Sequence, residues 1–211
     1  MTKLIFVRHG ESEANVTHKI AGHTDFPLTE IGLEQAKQTA DYLSVEPIAA
    51  VYSSDLSRAM ATARPHAERR GLEVIPSVAL RELNCGEWEN VEVDLLRERE
   101  PQRYGVGFCR NFLWAEIPGG ESIPDCARRF GEEVVRIAKA HEGQTVLIAS
   151  HGATIRIFFA MISGLPLEEA NEKFQFPSNS SYSVAEFDGN AFSITEYSKD
   201  DHLTIVTSVH L

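Results

Sequence analysis

The sequence predicts a three-layer α/β/α sandwich around a mainly parallel sheet with some antiparallel pairing. Three observations predict it. Short apolar runs (Leu4-Ile5-Phe6-Val7, Ala49-Ala50-Val51-Tyr52, Val146-Leu147-Ile148-Ala149) are separated by stretches of helical period. Two of these runs lead into His-Gly pairs, His9-Gly10 and His151-Gly152, where the chain must turn. A late pair of strand-like segments flanks Asp188-Gly189-Asn190, a hairpin turn signal.

In order along the chain, residues 3–7 form a buried strand. From Thr29 to Leu43, the residues Leu33, Ala36, Ala40 and Leu43 recur at helical spacing, with Thr29 as N-cap. Pro47 closes that helix and Ala49–Tyr52 is the second strand. Ser53-Ser54-Asp55 offers N-cap chemistry for a helix with Leu56, Ala59 and Ala63 on one face. Glu73 to Val78 is a short strand leading to Arg81-Glu82. Cys126, Phe130, Val134 and Ile137 keep the helical period, Val146–Ala149 is the central strand, and Ala153–Ile162 is a helix packed on it. In that helix Phe158, Phe159 and Met161 are assigned to the core. Pro166 opens a helix with Glu168 and Glu169 in its first turn. Segments 183–187 and 192–197 form the hairpin. The stretch from about 84 to 121 lacks clear periodicity and ends in Pro118-Gly119-Gly120; it reads as a lid-like insertion in a single domain spanning 1–211.

Composition narrows the partners. A formal net charge of −11 leaves no positive field for nucleic acid. A small anionic substrate is still admitted, because it responds to its pocket alone. Three cysteines without C-x-x-C spacing suit reduced thiols in a cytoplasm better than a disulfide framework or a zinc site. The four apolar residues before Arg8 are too few for a signal peptide, and Ile157–Ile162 is too short to span a membrane. The expectation is a cytoplasmic protein with no membrane or nucleic-acid partner; a homodimer is compatible with it.

The strand-end residues point to phosphoryl chemistry. Ligands of open α/β sheets collect beyond the carboxyl ends of the strands. Hydrolysing a phosphomonoester requires lowering the barrier by on the order of 20 kcal/mol, mainly by surrounding the phosphoryl oxygens with donors and positive charge. The chain has no H-E-x-x-H and no EF-hand loop, so no metal or other cofactor is assigned. The charge then comes from Arg and His, and the nucleophile is a side chain. His9 suits that role because neutral imidazole keeps a lone pair and a phosphohistidine divides one hard displacement in two. Arg8 and Arg58 can hold phosphate oxygens in bidentate forks, and His151, if protonated, adds another donor. Glu82, placed at the end of its strand, is the candidate acid for the leaving oxygen and base for water. His18, His23, His66, His141, His202 and His210 have no comparable context and read as surface or packing residues, and Cys85 reads as packing.

Six segments then resemble a known family when taken in order. They are Arg8-His9-Gly10-Glu11 with Asn15; Ala21 to Ala36 with its Gly22-His23-Thr24 and Pro27-Leu28-Thr29-Glu30; Ser53 to Ala63 with Arg58 and Thr62; Leu80-x-Glu82 with Gly86 and Trp88-Glu89; Pro118 to Ser122; and Ser150-His151-Gly152. Together they resemble the phosphoglycerate-mutase-like branch of the histidine phosphatase superfamily over nearly the whole chain. The resemblance implies the phosphoglycerate-mutase-like fold, phosphorylation of His9, a phosphate pocket of Arg8, Arg58 and His151, and Glu82 as proton donor. It also implies that Asn15 and the backbone near Gly22 reach the phosphoryl group or substrate.

Within that family the sequence leans toward hydrolysis of a small phosphorylated metabolite. Phosphoglycerate mutases typically place Arg-His-Tyr-Gly after the acidic glutamate, where this chain has Leu83-Asn84-Cys85-Gly86, and Asn-Ser after the second His-Gly, where it has Ala153-Thr154. Arg97, Arg99, Arg103 and Arg110 could bind a second acidic group, but the acidic residues among them make a solvated surface equally compatible. Asn90 stands where the phosphatases commonly have glycine after Trp-Glu, which puts the local turn in question. The alternatives are a phosphoglycerate mutase and a non-catalytic module that binds phosphorylated ligands.

Overall fold

The computed structural model describes residues 1–207. Among them six strands form one mixed sheet: β1 (Thr2–Arg8), β2 (Ile48–Ser54), β3 (Val74–Ser77), β4 (Thr145–Ser150), β5 (Tyr182–Phe187) and β6 (Phe192–Lys199). The order across the sheet is β3-β2-β4-β1-β5-β6. β1, β2, β3 and β4 run parallel, whereas β5 pairs antiparallel with β1 and β6 with β5. The predicted hairpin is therefore the antiparallel edge. Its turn is held by Asp188 Oδ1, which accepts from Asn190 N and Ala191 N at 2.8 Å each.

Successive residues of the central strands face opposite layers, as the period of two demands. Leu4, Phe6, Val146 and Ile148 pack with Phe130, Val134 and Ile137 of α5 (Ile123–Ala140) and with Ile155, Phe158 and Phe159 of α6 (Gly152–Ile162). Ile5, Val7, Leu147 and Ala149 pack against Ala63 and Ala67 of α3 (Ser57–Glu68), which in turn contacts α2 (Glu30–Tyr42). This is the three-layer arrangement. The short helix α1 (Glu13–Val16) follows β1, and α7 (Leu167–Lys173) follows α6 with Pro166 at its N-cap.

Several local expectations change. In α2 the buried residues are Gly32, Gln35, Ala36, Thr39 and Ala40, while Leu33 is 53% exposed. The helix is rotated because Gly32 must lie against the β1–α1 loop: a Cβ on it would stand 2.0 Å from Glu11 O, and one on Gly10 would stand 2.4 Å from Gly32 O. Thr29 does cap α2, its hydroxyl accepting from Gly32 N. The N-terminus of α3 is held from two sides: the Asp25 carboxylate accepts from Ser57 N and Oγ at 2.9 and 2.7 Å, and Ser54 Oγ of the expected Ser53-Ser54-Asp55 segment accepts from Leu56 N at 3.3 Å. Met161 is 43% exposed and leaves the core to Phe158 and Phe159.

The region read as unpatterned contains α4 (Val93–Arg99), a π-helical stretch Pro101–Phe108 and a 3₁₀ turn Phe112–Trp114. Trp88, Leu96, Tyr104, Phe108 and Phe112 join the core from it. Pro101, Gly105 and Gly107 interrupt the stretch and its wide turn displaces side chains from the usual spacing, which hides the period from a helical template. The doubtful turn at Asn90 is made: the residue takes φ +62°, a left-handed conformation that asparagine tolerates better than most non-glycine residues. Among the described residues no helix is long and apolar enough to cross a membrane.

Candidate active site

Parallel strands bring their carboxyl ends to one edge, and that edge carries the site. β1 pairs with β4 in a register that sets Arg8 beside Ser150, so the next residues, His9 and His151, emerge together. Their ring centroids are 5.2 Å apart, inclined at 61°. β2, on the other side of β4, leads into α3, whose first turn brings in Arg58. Arg8, His9, Asn15, Gly22, Arg58 and Glu82 all line one cleft, with His151 directly behind His9.

The tautomer of His9 follows from its neighbour. Its Nδ1 lies 2.7 Å from Gly10 O, and a carbonyl only accepts, so Nδ1 carries the hydrogen and Nε2 keeps the lone pair. Burial, with Arg58 and Arg8 adding to it, holds the imidazole well below its ordinary range, and the ring is neutral. The backbone is pinned from both sides: His9 N donates to Ser150 O (2.9 Å), and Asn179 Nδ2 and Ser180 N donate to His9 O (3.2 Å each). Asn179 also donates to Asn15 Oδ1, which accepts from Ser12 N and Oγ as well (2.9 and 3.0 Å), so the amide is fixed with Nδ2 as its free donor.

Each arginine is aimed by carbonyls. A terminal nitrogen of Arg8 donates to Pro177 O; Arg58 donates from Nη1 to Thr24 O (2.9 Å) and from Nη2 to Gly22 O (2.8 Å). The forks are therefore partly engaged, while Nε of each is buried without a partner. Burial is the main influence on both, bringing Arg8 down to about 10 and lowering Arg58, with Glu82 opposing in each case. Both remain cationic near neutral pH. Gly22 acts here through its carbonyl on Arg58. It takes φ +50°, and a Cβ on it would meet Glu89 Oε1 at 2.3 Å.

His151 lies unpaired behind His9. Both of its ring nitrogens are buried without a partner, and burial, followed by Arg58, pushes it well below the usual imidazole range. In the free protein it is neutral, so the protonated form in which it adds a donor and positive charge is not the resting one.

Glu82 is not at a strand end. β3 stops at Ser77, a 3₁₀ turn Val78–Leu80 follows, and Glu82 sits in the loop beyond. The start of α6 holds its carboxyl group. Oε1 accepts from Leu83 N (2.9 Å), Thr154 N (3.0 Å) and Thr154 Oγ1 (2.8 Å), whereas Oε2 takes only Ala153 N at 3.2 Å. Oε2 is thus the oxygen with capacity to carry and release a proton. The backbone of Glu82 is fixed too: its carbonyl accepts from His23 Nε2 (2.8 Å) and Arg129 Nη2 (3.3 Å).

Sequence reasoning missed these supporting residues. Arg129 on α5 forms a bidentate pair with Glu121 (2.8 Å each) while donating to Ala79 O and Arg81 O, tying down the whole approach to Glu82. Glu89 accepts from His23 N, Thr24 N, Thr24 Oγ1 and Cys85 N, joining the loop that aims Arg58 to the loop that bears Glu82. Thr62 Oγ1 accepts from Gly10 N. Thr62 and Glu89 stood inside the quoted motifs, which was the available signal; Arg129 had none. His23 is a correction, since it was assigned to ordinary surface or packing. His210 lies outside the described residues. Cys85 lines the cleft, but burial raises its thiol well above the normal range, so it is not an activated thiolate.

A cage of buried cations around a neutral imidazole, facing a carboxyl group gripped at one oxygen, is chemically competent to hold and transfer a phosphoryl group. Comparison with known proteins agrees with this. The model of the histidine phosphatase superfamily (branch 1) matches residues 4–200. A Yersinia pestis protein named probable phosphoglycerate mutase GpmB is 35% identical over 166 residues, 79% of this chain and 77% of that one. The structure of Bacillus stearothermophilus YhfR superposes with a TM-score of 0.87 at 31% identity, covering 96% of this chain and 99% of that one. A mycobacterial glucosyl-3-phosphoglycerate phosphatase complexed with VO3 gives 0.85 at 27% identity, covering 94% and 99%. Matched over almost its whole length in sequence and in fold, this chain belongs to the histidine phosphatase superfamily, branch 1, a family of enzymes.

Proposed function

We propose that the protein is a phosphomonoester hydrolase of the histidine acid phosphatase type that works through a phosphohistidine at His9 and uses no metal ion. One observation carries the reading. Arg8 Nε, Arg58 Nε and both ring nitrogens of His151 are buried without a partner next to the nucleophile candidate. Buried polar atoms are ordinarily hydrogen-bonded, so a cluster of unmatched ones beside a cleft calls for a ligand rich in acceptors. A phosphoryl group is such a ligand. Its negative charge also reverses the local field at His151 and favours the imidazolium that the free protein disfavours.

The chemistry balances with these groups. The lone pair on His9 Nε2 attacks phosphorus, the P–O bond to the alcohol breaks, and Glu82 Oε2 passes its proton to the leaving oxygen. Water then attacks the same phosphorus while Glu82 takes one of its protons. The P–N bond breaks and inorganic phosphate leaves, with His9 neutral again. Arg8, Arg58, His151 and Asn15 Nδ2 hold the phosphoryl oxygens through both displacements. All three cysteines are free, which suits the reducing cytoplasm as its compartment.

The name of the Yersinia relative favours a mutase instead. A mutase must also grip the substrate's carboxylate and return the phosphoryl group to it. Here Leu83 and Cys85 are buried apolar positions, and the Thr154 hydroxyl is engaged by Glu82. Arg97, Arg99, Arg103 and Arg110 are absent from the cleft lining; Arg97 pairs with Asp94 at 2.9 Å and Arg103 lies 3.9 Å from Glu100. The deciding experiment measures p-nitrophenyl phosphate hydrolysis at pH 5 to 7 with and without a chelator, beside phosphoglycerate interconversion with and without a bisphosphate primer. Chelator-insensitive hydrolysis is expected. Primer-dependent interconversion faster than hydrolysis would overturn the reading, and binding without turnover would leave a phospho-ligand module.

A further inference from the structure

Asn15 ends a line of hydrogen bonds that begins away from the cleft, on α2. Gln35 is buried there, and backbone groups set its amide at both ends. Oε1 accepts from Glu11 N (2.9 Å), which can only donate, and Nε2 donates to Ile205 O (3.0 Å), which can only accept. The same Nε2 donates to Thr207 Oγ1 at 2.9 Å. That hydroxyl keeps its own hydrogen to give, and gives it to Asn179 Oδ1 at 3.3 Å. The main chain closes the contact a second time, Asn179 N donating to Thr207 O at 2.8 Å. Asn179 is left with Nδ2 turned the other way, toward His9 O and Asn15 Oδ1 (3.2 Å each).

Every side-chain link donates in one direction, from α2 toward the cleft, and the last amide offers its Nδ2 to the phosphoryl position. Asn179 is fully buried, and among the described residues Thr207 Oγ1 is the one partner of its Oδ1. A buried carbonyl oxygen stripped of its donor costs free energy until it moves. Any rotation that finds it a new donor carries Nδ2 away from His9 O and Asn15 Oδ1. His9 keeps two further backbone bonds, to Ser150 O and from Ser180 N, so the loss falls mainly on Asn15. The other partners of Asn15 Oδ1 are Ser12 N and Oγ, which belong to its own turn and move with it. Gln35, Thr207 and Asn179 do not line the cleft, and they reach the phosphoryl group only through other residues.

We infer that Thr207 is a positioning residue for phosphoryl capture: its hydroxyl fixes Asn179, and Asn179 holds Asn15 with Nδ2 on the phosphoryl oxygens. The inference deepens the hydrolase reading above and rests on it for the role of Asn15. Thr204 gives the comparison. It docks on the same helix, Thr204 N donating to Gln38 Oε1 (3.0 Å) and Gln38 Nε2 to Thr204 Oγ1 (2.9 Å), but it has no bond to this line.

The test is a double-mutant cycle on the full chain, read as kcat/KM for p-nitrophenyl phosphate and as Kd for inorganic phosphate. Thr207→Val removes the hydroxyl and keeps the shape. It should lower kcat/KM by about three- to tenfold and weaken phosphate by a similar factor, the scale of one hydrogen bond. In an Asn15→Ala background the same substitution should cost less than about twofold. Thr207→Ser should restore the wild-type values, and Thr204→Ala should stay within about twofold of them. No loss in Thr207→Val overturns the assignment. So does the full loss in the Asn15→Ala background, or an equal loss in Thr207→Ser or Thr204→Ala. Thr207→Ala repeats the comparison if the valine variant does not fold; failure of both to fold also overturns it, because the hydroxyl then serves stability alone. Wild-type protein that binds phosphate without hydrolysing the ester removes the hydrolase reading, and the Kd cycle then decides this one by itself. Neither binding nor turnover removes both.

Discussion

His66 and His151 are both fully buried, both have two ring nitrogens without a partner, and both are pushed below the ordinary imidazole range chiefly by burial. Their surroundings separate them. His66 sits on α3 with Arg70 and His202 as its charged or titratable influences, and it does not line the cleft. His151 sits beside another imidazole, two buried arginines and an open cleft. An unmatched polar atom is therefore a sign of a ligand only where other unmatched donors share its cavity. Alone, it is a destabilised neutral group whose cost the fold absorbs elsewhere.

That contrast can be broken in several ways, starting with the largest effect. His9→Ala should lower turnover by more than about 10⁴-fold and abolish phosphate labelling of the chain, because no neighbouring group replaces a nucleophile. Retained labelling would move the nucleophile elsewhere. Glu82→Gln should reduce hydrolysis of alkyl phosphates by about 10²- to 10⁴-fold and of aryl phosphates less, since a poor leaving group needs the proton more. Equal losses for both classes would remove the acid role. His151→Ala should cost about 10²- to 10³-fold in kcat, the effect of removing one donor from a charge-stabilising site.

His66→Leu is the counterpart. Turnover should stay within about twofold of wild type, and the benefit should appear in acid. His66 has a folded pKa of about 3 against an ordinary 6.5. Its contribution is fully present above 6.5 and is lost as pH falls from there toward about 3, because the unfolded chain takes the proton first. The wild type should lose about 2 kcal/mol at pH 5 by this route and the Leu variant should not, as read by urea unfolding at pH 7.5 and 5. The smallest effect is spectroscopic. Ring ¹⁵N NMR should find His9 as the Nδ1–H tautomer, and added phosphate should raise the pKa of His151 while leaving that of His66 in place. Equal responses would erase the distinction between the two histidines.

The phosphoryl end was legible because strand and motif signals are local. Leu4–Val7 and Val146–Ala149 mark strands by composition, and the residue that follows a parallel strand must emerge at one edge. What could not be read were contacts made across long separations. Asp25 capping α3, Arg129 holding the Glu82 loop and Thr154 gripping its carboxyl group all depend on tertiary packing that no spacing announces. The charge state of His151, left open by the sequence, is decided by burial next to two arginines, which outweighs the intrinsic preference of the ring. The aromatic core residues of the 84–121 region escaped because glycines and a wide helical turn disguise Tyr104, Phe108 and Phe112 as an irregular stretch.

The register that sets Arg8 beside Ser150 joins opposite thirds of the chain. No partial fold confined to either third can present both imidazoles, so recovery of catalysis after dilution from denaturant must lag until that distant closure is complete. A slip of one position between these two strands would turn one ring to the layer opposite the other. Enzymatic rate is thus a built-in reporter of a long-range topological event in the maturation of this chain.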